Sequence, residues 1–211
     1  MKLSDMRRDY ESLGLRRADL DADPVRQFSR WFDEAEVAGV PDVNALTLAT
    51  VDPDGQPAQR TVLLKDISNG GFVFFTNYES RKARALQAHP RASMLFSWLP
   101  LNRQVSVEGR AERVSEAESA AYFASRPPGS QLSAWASAQS REIPSREALD
   151  ARTAEIRARL GDGPLPLPPF WGGFRLMPVR IEFWQGRPNR LHDRFEYRLE
   201  GSSWHVRRLQ P

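Results

Sequence analysis

The sequence predicts an α+β fold, mainly antiparallel β with helices, and three observations carry that expectation. From Ala45 onward the apolar residues recur with period two rather than 3.6, in about eight segments. Turn chemistry at Asp52-Pro53-Asp54-Gly55 and Ser68-Asn69-Gly70 joins neighbouring segments by short hairpins, which pair strands antiparallel. The 211 residues, 40% hydrophobic and 27% charged, suffice for one core and one domain. Closing the strands into a barrel is one economical way to remove sheet edges, and an open α+β sheet is the alternative.

The elements follow in order. Residues 1–22 are rich in charge and lack a sustained period, so they read as a flexible arm that orders only against something else, ahead of a single domain over 23–211. Asp23 and Pro24 have the N-cap and first-turn chemistry of a helix whose apolar face is Val25, Phe28, Trp31, Phe32 and Ala35, with Gly39 as its stop. Strands are expected at 45–51, 56–65, 71–76, 92–98, 104–114, 174–184, 190–199 and 204–209. Helices fit 80–88, 115–125 and 145–160, the last with Leu149, Thr153, Ile156 and Leu160 on one face. Only 161–169 has linker composition, because its prolines deny a hydrogen-bond ladder, and it demands no domain boundary.

Charge and composition exclude several function classes. With 30 Lys+Arg against 27 Asp+Glu the net charge is +3, too small to imply nucleic-acid binding by itself. The chain has no cysteine, which removes disulfides, thiolate nucleophiles and thiolate metal sites and suits a reducing compartment. Three histidines leave little material for a metal site, and none is expected. The charged segment from Met1 to Tyr10 lacks the apolar run of a secretory signal, and no stretch approaches the ~20 apolar residues of a membrane helix. A cytoplasmic protein without a membrane partner is the expectation. Glycine-rich dinucleotide and phosphate loops are missing, and so is the nucleophile elbow Gly-x-Ser-x-Gly.

What remains is a set of cationic and hydroxyl clusters at element ends. Arg81 and Lys82 follow Thr76 and Ser80 where a strand gives way to a helix, and the free N–H groups there suit a phosphate. A capped helix with a solvated first turn is the other reading, although cations in a first turn oppose the helix dipole. Arg60 and Lys65 have an odd separation, so a regular strand points them to opposite faces and favours two surface charges; a shared site requires a bulge or strand end at Lys65. Tyr122, Arg126 and Ser130 offer phosphate donors beyond a helix end, where a stabilising C-terminal arginine is the blander and favoured reading. Arg190, His192 and Arg194 alternate along an expected strand, with Leu191, Asp193 and Phe195 on the other face. Such a row repels itself unless an anion or carboxylates sit among it, or solvent screens it. His89 and His205 have no evident partner and read as structural or surface residues.

Taken together, these blocks resemble the pyridoxamine/pyridoxine 5'-phosphate oxidase family, flavin enzymes with an FMN-binding split-barrel fold. The most specific part is Glu182-Phe183-Trp184-Gln185 with Arg190-Leu191-His192-Asp193-Arg194, and blocks at 60–65, 75–82, 122–131, 134–140 and 170–175 follow the same order. The resemblance implies an antiparallel FMN-binding split barrel. It implies FMN phosphate and ribityl contacts at Arg60, Arg81, Lys82, Gln139 and Ser140, with Lys65, Phe75, Thr76, Gln104, Trp184 and Arg194 also at the flavin site. Substrate phosphate falls to Lys65, Tyr122, Arg126 and Ser130, and the pyridine ring to Arg190, Leu191 and His192, of which Arg190 and His192 are the catalytic candidates. Arg7, Arg8, Asp9 and Tyr10 resemble an arm that covers the site. Phe75 stands where some relatives carry tyrosine, a change of little consequence for a backbone contact.

The implied reaction is FMN-dependent oxidation of pyridoxamine or pyridoxine 5'-phosphate by O2 to pyridoxal 5'-phosphate, releasing hydrogen peroxide, and ammonia from the amine. The implied assembly is a homodimer with FMN at the subunit interface. Two phosphates of roughly −1.5 to −2 charge each account for the surplus of cations. A flavin-binding split barrel without vitamin B6 oxidase activity and a basic nucleic-acid-binding module are the competing classes. The 122–130 loop and the Arg190/His192 segment favour the oxidase over both.

Overall fold

The computed structural model describes Leu3, Tyr10 and residues 14–161 and 163–211; the expected contacts of Arg7, Arg8 and Asp9 lie outside the described residues. The strands are β1 (Ala45–Val51), β2 (Pro57–Leu63), β3 (Asp66–Ser68), β4 (Gly71–Asn77), β5 (Arg91–Trp98), β6 (Arg103–Arg113), β7 (Trp171–Gln185), β8 (Asp193–Glu200) and β9 (Ser203–Leu209). The helices are α1 (Pro24–Val37), α2 (Arg81–Ala88), α3 (Glu116–Ser125), α4 (Pro128–Ala136) and α5 (Arg146–Leu160). All strands belong to one curled antiparallel sheet in the order β2-β1-β5-β6-β7-β4-β3, with β8 and β9 branching from β7.

β7 organises the sheet. Of its 15 residues, Phe174 to Gln185 pair with β6, Trp171 to Leu176 with β4 and Arg180 to Gln185 with β8. The register shifts at Glu108/Gly109, and Gly109 is required there because a Cβ would sit 2.1 Å from the Met177 carbonyl oxygen. The curled sheet wraps α1, whose Phe28, Trp31 and Ala35 are buried against Leu48, Phe72, Phe96, Phe183 and Tyr197. As its sequence predicts, α1 opens on Asp23, whose side chain accepts the Val25 N–H at 2.8 Å, and on Pro24 at the first turn. Leu15, in the arm, is buried in the same core.

Besides the short unexpected strand β3, four elements differ from the sequence expectation. α4 replaces an expected loop: Pro127-Pro128 starts a helix whose first turn needs no N–H from Pro128, a signal masked by the preceding turn residues. β2 ends at Leu63, two residues before Lys65, because Lys65 donates its N–H to Val73 of β4 (2.8 Å) instead of continuing along β1. β7 begins at Trp171 and includes Gly172 and Gly173, where a Cβ would meet the Tyr78 hydroxyl at 2.1 Å and Val114 at 2.7 Å. The strand expected at 190–199 starts only at Asp193. Pro188 opens a 3-10 turn over Pro188–Arg190, and Asn189 and Arg190 both have positive φ (55° and 62°). Arg190, His192 and Arg194 therefore do not share a strand face.

Candidate active site

The expected site residues form two clusters. The first lines a cavity of about 490 Å³ between β2, β4, α3 and α4. Lys65, Phe75, Thr76, Lys82, Tyr122, Arg126, Ser130 and Gln139 all open onto it, joined by Trp171. The end of β2 at Leu63 supplies the irregularity that Lys65 needs to turn inward.

An aromatic stack forms one wall. Phe75 and Tyr122 lie 3.9 Å apart at 18°, and Trp171 is 5.6 Å from Phe75 at 12°. Arg126 rests over Trp171 at 4.7 Å, and its Nη1 is buried with no hydrogen-bond partner. Burial also pushes the Arg126 pKa down. An orphaned guanidinium nitrogen at a cavity wall is the expected state of a group that meets an anion.

The opposite wall is a polar network. Lys82, in the first turn of α2, donates from Nζ to Gln139 Oε1 (2.8 Å) and Thr76 Oγ1 (3.2 Å). The Thr76 hydroxyl donates to the same Gln139 oxygen at 3.1 Å. Burial, and then the charge of Arg60, bring the Lys82 pKa down to about 8. Arg60 donates from Nη1 to Thr50 Oγ1 (2.8 Å) and the Leu48 carbonyl (3.1 Å), and its own pKa is lowered first by burial and then by Arg81. Asp52 takes Arg81 on a single oxygen, at 2.8 Å from Nε and 2.5 Å from Nη2, while its other oxygen is buried without a partner. Three cations thus gather near the N-terminus of α2, with Arg81 paired to Asp52 and Arg60 and Lys82 bonded to neutral oxygens, a cradle with net positive charge. Ser140 has φ 68° and lines a neighbouring cavity along α5, which Gln139 also lines.

The second cluster lies around the turn between β7 and β8. The Trp184 and His192 rings are 4.6 Å apart, and Tyr10 meets both edge-on, at 5.8 and 5.6 Å. His192 Nδ1 accepts the Arg187 N–H at 3.1 Å, so the neutral ring carries its proton on Nε2. Burial, then Arg190, lower the His192 pKa against an opposing push from Asp193. Gln104 stands directly opposite Trp184 in the β6/β7 register. Arg194 is held in a fork by Glu182, Nε to Oε1 at 2.7 Å and Nη2 to Oε2 at 3.1 Å. Leu191 is exposed. None of Gln104, Trp184, Arg190, His192 and Arg194 lines the first cavity.

Trp171 and Trp184 mark the two clusters at opposite ends of β7. Thirteen residues at ~3.3 Å each make roughly 43 Å of strand path between them. Trp171 and Asp52 are the residues that sequence reasoning missed: Trp171 entered only within the 170–175 block of the resemblance and Asp52 only as part of a turn, and the fold brings them to the cluster. Among the described residues no group of His, Asp and Glu is placed to hold a metal ion, and no helix is long and apolar enough to cross a membrane.

A curled antiparallel half-barrel with a cation-lined cavity beside its strands defines a split-barrel protein of the flavin-binding class. Comparison with known proteins narrows this. The pyridoxamine 5'-phosphate oxidase family matches residues 32–160, and the C-terminal dimerisation region of pyridoxine 5'-phosphate oxidases matches 171–211. A pyridoxine/pyridoxamine 5'-phosphate oxidase of Cupriavidus taiwanensis is 58% identical over 211 residues, covering 100% of this chain and 99% of that protein. One from Ralstonia pickettii is 60% identical over 210 residues, covering 99% of each. The crystal structure of PhzG from Burkholderia lata, in complex with tetrahydrophenazine-1-carboxylic acid, superposes with a TM-score of 0.87 at 36% identity, over 92% of this chain and 95% of that one. A pyridoxamine 5'-phosphate oxidase-related, FMN-binding protein from Nostoc punctiforme shares the fold, with a TM-score of 0.73 at 19% identity over 91% of this chain and 100% of that one. The chain belongs to the pyridoxamine 5'-phosphate oxidase family.

Proposed function

We propose that the protein oxidises pyridoxamine 5'-phosphate or pyridoxine 5'-phosphate to pyridoxal 5'-phosphate, with FMN as cofactor and O2 as oxidant, in a homodimer whose site both subunits build. The observation that carries this reading is the convergence of Arg126, whose buried Nη1 has no hydrogen-bond partner, with Lys65, Tyr122 and Ser130 on one cavity. It is a ready receptor for a substrate phosphate, and Lys82, which lines the same cavity, joins it to the Arg60 and Arg81 groups that suit the phosphate of FMN.

Arg60, Arg81, Lys82, Gln139 and Ser140 would hold FMN, which would supply the redox chemistry: hydride acceptance from substrate C4' and reoxidation by O2 to hydrogen peroxide. The chain's residues supply position and charge. Lys65, Tyr122, Arg126 and Ser130 fix the substrate phosphate, and the wall of Phe75 and Trp171 bounds the cavity. Arg190 and His192 orient the pyridine ring, His192 as a neutral Nε2–H donor because burial and Arg190 disfavour its charged form. Trp184, Gln104 and Arg194 would contribute to holding the flavin from the ring end.

Because the two clusters sit at opposite ends of β7, one small ligand reaches both only if a second copy brings its Trp184/His192 end to the first copy's cavity. The family's dimerisation region, 171–211, contains that end. The arm residue Tyr10 covers the His192 side. A cytoplasmic location suits a chain without cysteine.

The test is direct. Purified protein is expected to be yellow, to release FMN on heating, and to turn over pyridoxamine 5'-phosphate with hydrogen peroxide and ammonia as products. A colourless protein that fails to take up added FMN overturns the cofactor assignment. A yellow protein without turnover leaves a flavin-binding split barrel and removes the oxidase.

A further inference from the structure

The carboxylate of Asp193, the first residue of β8, is buried where three segments of the chain meet. Its Oδ2 accepts the N–H of Leu15 from the arm at 3.0 Å and lies 3.6 Å from Arg187 Nε in the β7–β8 turn. Its Oδ1 accepts from Arg208 Nη2 of β9. The arm passes so close that a Cβ on Gly14 (φ 82°) would lie 2.9 Å from Asp193 Oδ2 and 2.8 Å from Arg187 Nη1. Arg187 carries the connection onward: its side chain faces Asp193, and its backbone N–H donates to His192 Nδ1. On the far side of His192 stands Tyr10, whose ring would be 2.9 Å from a Cβ on Gly186. The arm and the His192 turn are therefore in contact at Tyr10 and at Gly14-Leu15, and Asp193 is the group that both the arm and the turn bind.

We infer that Asp193 is a positioning residue for the reaction, fastening the N-terminal arm and strand β9 to the turn that carries Arg190 and His192. The inference rests on the oxidase reading for its kinetic consequence, but the positioning itself does not. Asp193 acts through Arg187 and through the arm. A buried carboxylate shared among two guanidinium groups and a backbone N–H ties three segments through one side chain, and replacing it weakens its hold on both arginines at once. That makes it a joint, where an exposed ion pair would be replaceable.

Asp193→Asn keeps the side-chain shape and an acceptor for Leu15 while weakening the hold on Arg187 and Arg208. The chain has three histidines, so the titration of His192 can be followed by NMR against His89 and His205 as internal controls. The groups that set this titration are Arg190 and Asp193, with burial. In Asp193→Asn the His192 titration is expected to move to lower pH while the two control histidines stay in place. KM for pyridoxamine 5'-phosphate is expected to rise by about tenfold, the scale of one lost charged hydrogen bond, with FMN content retained. Gly14→Ala, whose Cβ would crowd both Asp193 Oδ2 and Arg187 Nη1 while every side chain of the joint stays in place, is expected to push the arm away, to raise KM in the same direction and to expose the arm to protease. A folded Asp193→Asn protein whose His192 titration and KM match wild type overturns the inference. If that variant does not fold, a Gly14→Ala protein with wild-type KM and an equally protected arm overturns it. Wild-type protein without oxidase activity would instead remove the oxidase reading, and the His192 titration would still decide the role of Asp193.

Discussion

Lys82 shows how a single side chain ties the fold to binding. Its pKa of about 8, set by burial and by Arg60, means that it is only partly charged in mildly alkaline solution unless an anion joins it. FMN affinity is expected to fall above pH 8, by up to about tenfold per pH unit. Lys82→Arg, always charged, is expected to flatten that slope in a fluorescence titration of flavin-free protein; an unchanged slope places the titrating group elsewhere. The stability effect runs the other way. Between pH 8 and 10.5 the unfolded lysine binds more protons than the folded one, so the flavin-free fold gains stability across that window. A second comparison separates the clusters: Arg190→Ala or His192→Ala is expected to leave a yellow protein with turnover or substrate affinity lowered ~10-fold or more, for a charged hydrogen bond worth about 1.5–3 kcal/mol. Arg81→Ala with Lys82→Ala is expected to weaken FMN retention, with activity partly restored by added FMN. Normal oxidation by the Arg190 and His192 variants removes both from the site. Residue types at this scale were legible in the sequence, and pairings were not. The odd spacing of Arg60 and Lys65 favoured two surface charges, because a strand end that depends on a hydrogen bond to Val73 leaves no local signature.

At the scale of elements, periodicity and caps located α1, α2, α3, α5 and most strands, since each buries a face whose spacing the sequence repeats. α4 escaped because it is short and its turn-like opening, Pro127-Pro128-Gly129-Ser130, is also good first-turn chemistry. The β8 start was misplaced because alternation continues through Arg190 while two left-handed residues break the strand. One ion pair joins α3 to the sheet. Arg175 of β7, 6% exposed, donates from Nη2 to Glu118 (2.5 Å) and to Ser68 of β3 (3.2 Å). Two hydrogen bonds from Ser115, and then Arg175, hold the Glu118 carboxyl down to about 2 from an ordinary 4.5. A depressed carboxylate contributes stability that is complete above its unfolded value and lost as pH falls toward the folded one. Melting temperature in Glu118→Gln is therefore expected to vary less between pH 4.5 and 2 than in wild type. Equal slopes in the two proteins contradict a role for this carboxylate in acid unfolding.

For the whole molecule, the long β7 strand separates the cavity at Trp171 from the rings at Trp184, so the proposed site is completed only between copies. Nothing in one chain's periodicity encodes which faces meet, and the sequence conveyed the dimer only through its resemblance to a family. Complementation tests this most directly. Arg126→Ala damages the cavity end and His192→Ala the ring end, so each homodimer is impaired at both of its sites. In a mixed dimer one site collects both lesions and the other collects none. Co-refolding the two variants in equal amounts is expected to yield about a quarter of wild-type activity, since half the dimers are mixed and each has one intact site of two. Activity no higher than the mean of the two parents, in a sample shown to contain mixed dimers, would contradict the shared site.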